Sequence, residues 1–349
     1  MEPELTTLSD DLVVIHTAGE VHRFDGLEPD TDYEFLGLST RTLARPEGEL
    51  LSRICTVNDL HFGEDGVGAE EFDGDMAFAG VVESNPSRLP GPRLVVDEGE
   101  RPYVDFMNEA AVSEISMLDP DLVVVKGDLT AHGTAQEFQQ FLDCYQPIFG
   151  ERLMYVRGNH EGYGGEQLGD FSTQYRSLRG VGVALLDSVV YGEDHGTLAD
   201  SQIAWLDEVL QEADRPVLVM AHHHPWNIEF GKRNGFMFGL LPDASERIAQ
   251  LAGRHPRFSG YFAGHTHRNR VRHFSSTGDV PWVEVASVKD YPGSYAEYKV
   301  YETAILQVHH RVSSDEALAW TDRTRALYAG RYPEYAFGSI EDRCFTIDV

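Results

Sequence analysis

The chain is poor in positive charge. Its 28 Lys and Arg stand against 58 Asp and Glu, a formal net charge of -30 over 349 residues. Only four lysines occur, at 126, 232, 289 and 299. Such a surface repels nucleic acid and anionic membranes, which excludes a nonspecific DNA- or RNA-binding role. Any site for an anion must therefore carry its own concentrated positive charge. Cysteine is scarce as well: Cys55, Cys144 and Cys344 are far apart and odd in number. That argues against a disulfide framework and fits a reducing compartment. No apolar run approaches the length of a membrane span. The start, MEPELTTLSDDLVVIH, lacks the basic and apolar regions of a secretory signal. No internal repeat is found. These absences read as a soluble, cytoplasmic protein whose partners include neither nucleic acid nor membrane. A homo-oligomer is left open.

What is present suffices for a sizeable core, with 42% hydrophobic and 11% aromatic residues. Residues 1–50 are β-rich. Within them LEPDTDYEF resembles the tyrosine corner of fibronectin type III sandwiches, with Tyr33 as the corner residue. A full sandwich needs about 100 residues, so the segment reads as a few strands packed on the main domain, or a degenerate fibronectin-like piece. From residue 51, short apolar runs alternate with helical patterns, the mark of a layered α/β domain. Helical spacing marks VDFMNEAAVSEISML, TAQEFQQFLDCY, LADSQIAWLDEVLQEA and SERIAQLAGR. Two segments interrupt the alternation: an acid- and Gly-rich insertion over 64–102, and a Gly-hinged loop over 227–242. The expected divisions are a segment 1–50, a domain 51–300 and a C-terminal extension 301–349.

Five of the apolar runs end alike. Asp59 and His61 follow the first and Asp128 the second. Asn159 and His160 follow the third, His222, His223 and His224 the fourth, and His265 and His267 the fifth. In an open α/β sheet, ligands bind beyond the carboxyl ends of the strands. Residues i and i+2 of an extended segment point to one side, so Asp-x-His and His-x-His can each reach one cation. On the same alternation His223 faces away and His224 returns towards the metal side. Gly127, Gly158 and Gly264 allow sharp turns and close backbone approach. One such ending is common, whereas five in one chain point to a metal site.

Taken in order, DLH, GD, GNHE, HHHP and GHTH resemble the signature of the calcineurin-like metallophosphoesterases, over roughly residues 52–290. The span LLDSVVYGEDHGTLADSQIAWLDEVL, followed by HHHP, is similar to the class III cyclic nucleotide phosphodiesterase branch. The resemblance implies an α/β fold, a four-layer α-β-β-α sandwich with a dinuclear metal centre at its rim. It assigns Asp59, His61 and His267 to one metal, Asn159, His222 and His265 to the other, and Asp128 to a bridge between them. Carboxylate, imidazole and amide donors without a thiolate suit two divalent transition metals among Mn, Fe, Zn and Co. Such a pair supplies the local positive charge that the surface lacks.

The implied activity is hydrolysis of small phosphodiesters, such as cyclic nucleotides or glycerophosphodiesters, by a hydroxide bridging the metals. A phosphomonoesterase or pyrophosphohydrolase with the same centre is the alternative. By resemblance, His160 contacts phosphate or protonates the leaving group. Glu161 is placed to orient His160, and His195, in an HG turn, to touch substrate phosphate. Lys232 and Arg233 read as solvated loop charges, Trp226 and Phe230 as packing residues.

Overall fold

The computed structural model describes residues 2–68, 93–97, 99–165, 168–225 and 238–349. Most of the 64–102 insertion and of the 227–242 loop lies outside them, and with it Trp226, Phe230, Lys232 and Arg233.

The chain begins with strands β1 (Glu4–Leu8), β2 (Leu12–Thr17) and β3 (Glu20–Asp25), which form a three-stranded antiparallel sheet. A hairpin of β4 (Asp32–Phe35) and β5 (Leu38–Arg41) follows. Tyr33 makes a corner contact, its hydroxyl accepting the Glu28 N–H at 2.9 Å. The segment is nevertheless two small sheets rather than a sandwich. Leu8, Val13 and Ile15 pack with Cys344 near the C-terminus. The buried Asp10 carboxylate pairs with the Lys299 ammonium at 3.0 Å.

The main body runs through β6 (Leu50–Val57), β7 (Gly66–Val67), β8 (Leu94–Val95), α1 (Tyr103–Met117), β9 (Leu122–Lys126), α2 (Ala135–Phe149) and β10 (Leu153–Val156). It continues through α3 (Asn159–Tyr163), β11 (Gln174–Leu178), β12 (Val181–Leu185), α4 (Asp200–Glu212), β13 (Val217–Met220) and α5 (Pro242–Arg254). The strands β14 (Phe258–Ala263), β15 (Arg270–Arg272), β16 (Trp282–Glu284), β17 (Ser294–Tyr301) and β18 (Ala304–Arg311) follow, then α6 (Asp315–Thr324). After three further short helical segments, Leu327–Gly330, Tyr332–Ala336 and Ile340–Arg343, comes β19 (Phe345–Asp348). β7 and β8 pair antiparallel and close the base of the insertion.

Two six-stranded sheets result, in the orders β10-β9-β6-β17-β18-β19 and β11-β12-β13-β14-β16-β15. A strand buried on both faces sends alternate residues into two cores. In β9, Leu122 and Val124 face the other sheet, while Val123 and Val125 face helices. In β13, Leu218 and Met220 face inward, while Val217 and Val219 meet the outer helices. α1, α2 and α6 cover the first sheet through Met107, Phe141 and Trp320. α4 and α5 cover the second through Leu206 and Ile248. The expected four layers are therefore present. The expected helices form as well, and α2 starts at Thr134, whose hydroxyl accepts the Glu137 N–H. The boundary drawn at residue 300 falls inside β17, and β18 and β19 beyond it complete the first sheet.

The five motif-bearing runs are β6, β9, β10, β13 and β14. The first three are mutually parallel in one sheet, and the last two are parallel neighbours in the other. The Lys126 ammonium, at the end of β9, donates to the Ala263 carbonyl at the end of β14, 2.9 Å away. The carboxyl ends of both sheets thus meet at one rim.

Candidate metal centre

Beyond those strand ends the backbone turns sharply. Asp59, His61, Asp128, His265 and His267 all have positive φ, between 48° and 68°. A non-glycine residue there costs about 1–2 kcal/mol, and such strain persists only where the surroundings over-determine it. This corrects the alternation argument. Asp59 and His61 converge because each sits in a left-handed turn, not because an extended strand points them to one side. His265 and His267, two residues apart, go to different clusters.

In the first cluster, donor atoms of Asp59, His61, Asp128 and His267 lie within 4.8 Å of one another. Asp59 Oδ1 is 3.7 Å from His267 Nε2. In the second, His222, His223 and His265 meet within the same distance, and Asn159 Oδ1 is 3.0 Å from His222 Nε2. Asp128 Oδ2 reaches both, 3.5 Å from His61 Nε2 and 3.3 Å from His222 Nε2. The side-chain amide of Asn159 donates to the Tyr163 hydroxyl at 2.7 Å, which presents its oxygen to His222.

The residues fit a pair of metal ions. Both ring nitrogens of His61, and Nε2 of His223 and His265, are buried without a hydrogen-bond partner among the described residues. Buried polar atoms are rarely left so. The donors are carboxylate, imidazole and amide oxygen, the set that suits Mn, Fe, Zn or Co. Burial, aided by the His160 charge, pushes His61 down to about 4. Burial and the neighbouring His223 and His222 rings hold His265 well below the ordinary histidine range. Both rings are thus neutral, the form that binds a metal. His222 differs: burial opposes its charge, but the Asp128 carboxylate raises it to about 9.

His223 was expected on the opposite face, yet it is buried beside His265, ring centres 4.6 Å apart. Its Nδ1 lies 2.7 Å from the Ser188 hydroxyl. β13 ends at Met220, so strand alternation no longer governs residues 222–224. His224 is buried too but joins neither cluster. His160 leans over the first cluster, its ring centre 4.3 Å from that of His61. Its Nδ1 is 2.7 Å from the Ala131 carbonyl, and its backbone N–H donates to Asp128 Oδ1 at 3.1 Å.

Glu161 does not orient His160. Its carboxylate accepts the Thr130 N–H at 2.7 Å, the Thr130 hydroxyl at 2.7 Å and the Gly158 N–H at 2.6 Å. It clamps the Asp128 loop to the Asn159 loop, and burial with the Asp128 charge lifts its carboxyl to about 7. His195 Nδ1 lies 3.7 Å from Glu193, and the neighbouring Gly196 backs onto the His223 ring. No contact described for His195 joins it to the histidine clusters. Sequence reasoning missed Asn58, whose buried amide donates to the Asp59 carboxylate and to the Val285 carbonyl. Its place directly before the DLH motif was the available signal.

The glycines matter mainly for space. A Cβ on Gly158 would overlap the Asp128 carboxylate. On Gly127, where φ is +94°, it would stand 2.5 Å from His222 Nδ1.

A four-layer sandwich whose parallel strand ends gather carboxylates and imidazoles into two adjoining clusters defines a metal-dependent hydrolase of phosphate esters. The chain belongs to the calcineurin-like phosphoesterase family, whose sequence model matches residues 52–269. It is 25% identical to a probable glycerophosphodiester phosphodiesterase (GpdQ) of Arcobacter nitrofigilis, over 62% of this chain and 82% of that protein. It is 26% identical to a probable cyclic nucleotide phosphodiesterase of Synechococcus, over 57% of this chain and 77% of that one. The 3',5'-cyclic adenosine monophosphate phosphodiesterase CpdA of Escherichia coli K12 is 31% identical, over 30% of this chain and 40% of its own. Among solved structures, a dimetal phosphatase from Danio rerio shares the fold with a TM-score of 0.54 at 16% identity, covering 76% of this chain and 98% of that one. Among the described residues, no helix is long and apolar enough to cross a membrane.

Proposed function

We propose that the protein is a dinuclear metal-dependent phosphodiesterase acting on small diesters, cyclic nucleotides or glycerophosphodiesters. The observation that carries this reading is the pair of donor clusters joined by Asp128. In it, Asp59, His61 and His267 hold one divalent cation. Asn159, His222 and His265 hold the other with His223 beside them, and Asp128 serves both. When bound, two such cations neutralise phosphate charge and make water a nucleophile near neutral pH. His160 has its Nδ1 at the Ala131 carbonyl, which leaves Nε2 for a phosphate oxygen or the leaving group. His195 is assigned to the mouth of the site on the family resemblance alone. The relatives named as phosphodiesterases support the diester class. The three free cysteines agree with a cytoplasmic setting.

The test is metal content per chain, measured alongside hydrolysis of bis(p-nitrophenyl) phosphate and p-nitrophenyl phosphate with Mn(II) added. Two metals and a rate favouring the diester are expected. Preference for the monoester would move the protein to the phosphomonoesterases, and a folded chain that binds no metal would end the reading. His160→Ala should keep both metals and lose about 100-fold or more in turnover. An unchanged rate would remove His160 from the chemistry.

A further inference from the structure

Lys289, one of only four lysines, is buried behind the first cluster. Its ammonium is 2.8 Å from Glu64 Oε2 and 3.1 Å from Asp290 Oδ2. Each of these carboxylates stands behind one histidine of that cluster. Asp290 Oδ2 is 3.4 Å from His267 Nδ1, and Glu64 Oε1 is 3.9 Å from His61 Nδ1. The Nε2 atoms of the same two rings face Asp59 and Asp128. Two hydroxyls complete the arrangement. Tyr103 donates to Glu64, and Tyr332 donates to Asp290 Oδ1 at 2.7 Å.

Tyr332 belongs to the C-terminal tail, which also holds the loop carrying His265 and His267. The Tyr335 hydroxyl donates to the Thr266 carbonyl at 2.8 Å, and the Asn269 N–H to the Ala336 carbonyl at 2.9 Å. In the second cluster, among the described residues, His222 Nδ1 meets a backbone carbonyl instead, that of Lys126 at 2.8 Å. Lys289, Asp290 and Tyr332 all lie beyond the span matched by the family model.

We propose that Asp290, fixed by Lys289 and anchored by Tyr332, is a positioning residue that holds His267 with Nε2 turned to the metal. A carboxylate behind an imidazole keeps the proton on the far nitrogen, fixes the ring and makes the near nitrogen a better donor. Here the Lys289 ammonium fixes Asp290 in that place, and Glu64, 3.9 Å from His61 Nδ1 and so beyond hydrogen-bond reach of it, holds the ammonium from the other side. The tail makes this setting dependent on residues distant in sequence from every proposed ligand.

The inference rests on the metal reading above, and the test separates the two. Metal-free protein is titrated with Mn(II), and free ion is followed by its paramagnetic resonance signal. The parent is expected to bind two ions. In Asp290→Asn, affinity at one position should fall by about 10- to 100-fold while the other is unchanged. Tyr332→Phe removes a single hydroxyl bound to a charged group, and the loss should be smaller, about threefold to tenfold. Nitrogen-15 spectra of the zinc-loaded proteins supply a readout that a merely architectural role would not give. Asp290→Asn should shift the His267 ring signals and leave those of His222 and His265 in place.

Binding by both variants equal to the parent's would overturn the inference. So would equal weakening at both positions with a lowered melting point, which would mark the network as architectural. A parent that binds no Mn(II) would refute the metal reading before any variant is made, and this inference would fall with it.

Discussion

Gly127→Ala places one methyl group where the structure has no room for it. Gly127 has a φ of +94°, and an added Cβ would lie 2.5 Å from Nδ1, 2.7 Å from Cγ and 2.8 Å from Cβ of His222. Ordinary contacts between such atoms begin at about 3.5 Å, so the ring must retreat by about 1 Å. It has nowhere to go. His222 is fully buried and tied to the Lys126 carbonyl at 2.8 Å. The strained φ costs about 1–3 kcal/mol and the overpacking about as much again. The combined cost, about 2–6 kcal/mol, is a large part of the 5–15 kcal/mol that keeps a typical protein folded. Metal coordination tolerates displacements of only about 0.2 Å, so the position served by His222 should empty while the Asp59 position keeps its ion. The assays are elemental analysis of the purified variant and thermal melting. One metal per chain and a clearly lowered melting point are expected. Because the methyl acts through His222, the losses from Gly127→Ala and His222→Ala should not add. Two metals per chain with a melting point within about 2 °C of the parent's would refute the reasoning.

Two more outcomes follow from buried carboxylates. Glu161→Ala leaves the Thr130 N–H, the Thr130 hydroxyl and the Gly158 N–H without their acceptor. Stability should fall by at least about 2 kcal/mol, and metal content should fall with it as the Asp128 and Asn159 loops separate. Unchanged metal content, checked by the same elemental analysis, would show that these loops hold without the clamp. Glu114 is raised from 4.5 to about 7 by burial, which the Ser313 N–H and Tyr295 hydroxyl only partly offset. Below the unfolded value both states hold the proton. Between the two values the unfolded chain releases it while the folded chain keeps it, so this residue lowers stability as pH rises through that window. The loss is of the order of 3 kcal/mol by pH 8. Glu114→Gln, which keeps an acceptor for Ser313, should raise the urea midpoint at pH 8 and leave it nearly unchanged at pH 4. Equal midpoints at pH 8 would show that the carboxyl ionises there without cost.

The layered fold and most of the proposed ligands were legible in the sequence because both depend on short-range patterns. A strand buried on two faces needs an unbroken apolar run, and LVVVK and VLVM supply it. A strand end that carries a ligand needs a polar residue directly after that run. Asp59, His61, Asp128, Asn159, His222, His265 and His267 all announce themselves in this way, and the structure brings all seven to one rim. The order of the motifs was enough to indicate the family.

Tertiary structure decided what no local pattern encodes. Which donors share a cluster follows from left-handed turns, whose φ is fixed by contacts with other loops. That is why His265 and His267 separate; His223 turns inward because the strand before it ends at Met220. Glu161 became a clamp because the Thr130 loop, 31 residues away, offers it two donors. The role of Asp290 is the furthest from local pattern. It depends on a lysine beside it, a histidine 23 residues before it and a tyrosine 42 residues after it. The chain by itself fixed which side chains could bind metal. Packing between two sheets, and a tail folded back across them, fixed which of them meet and what holds them there.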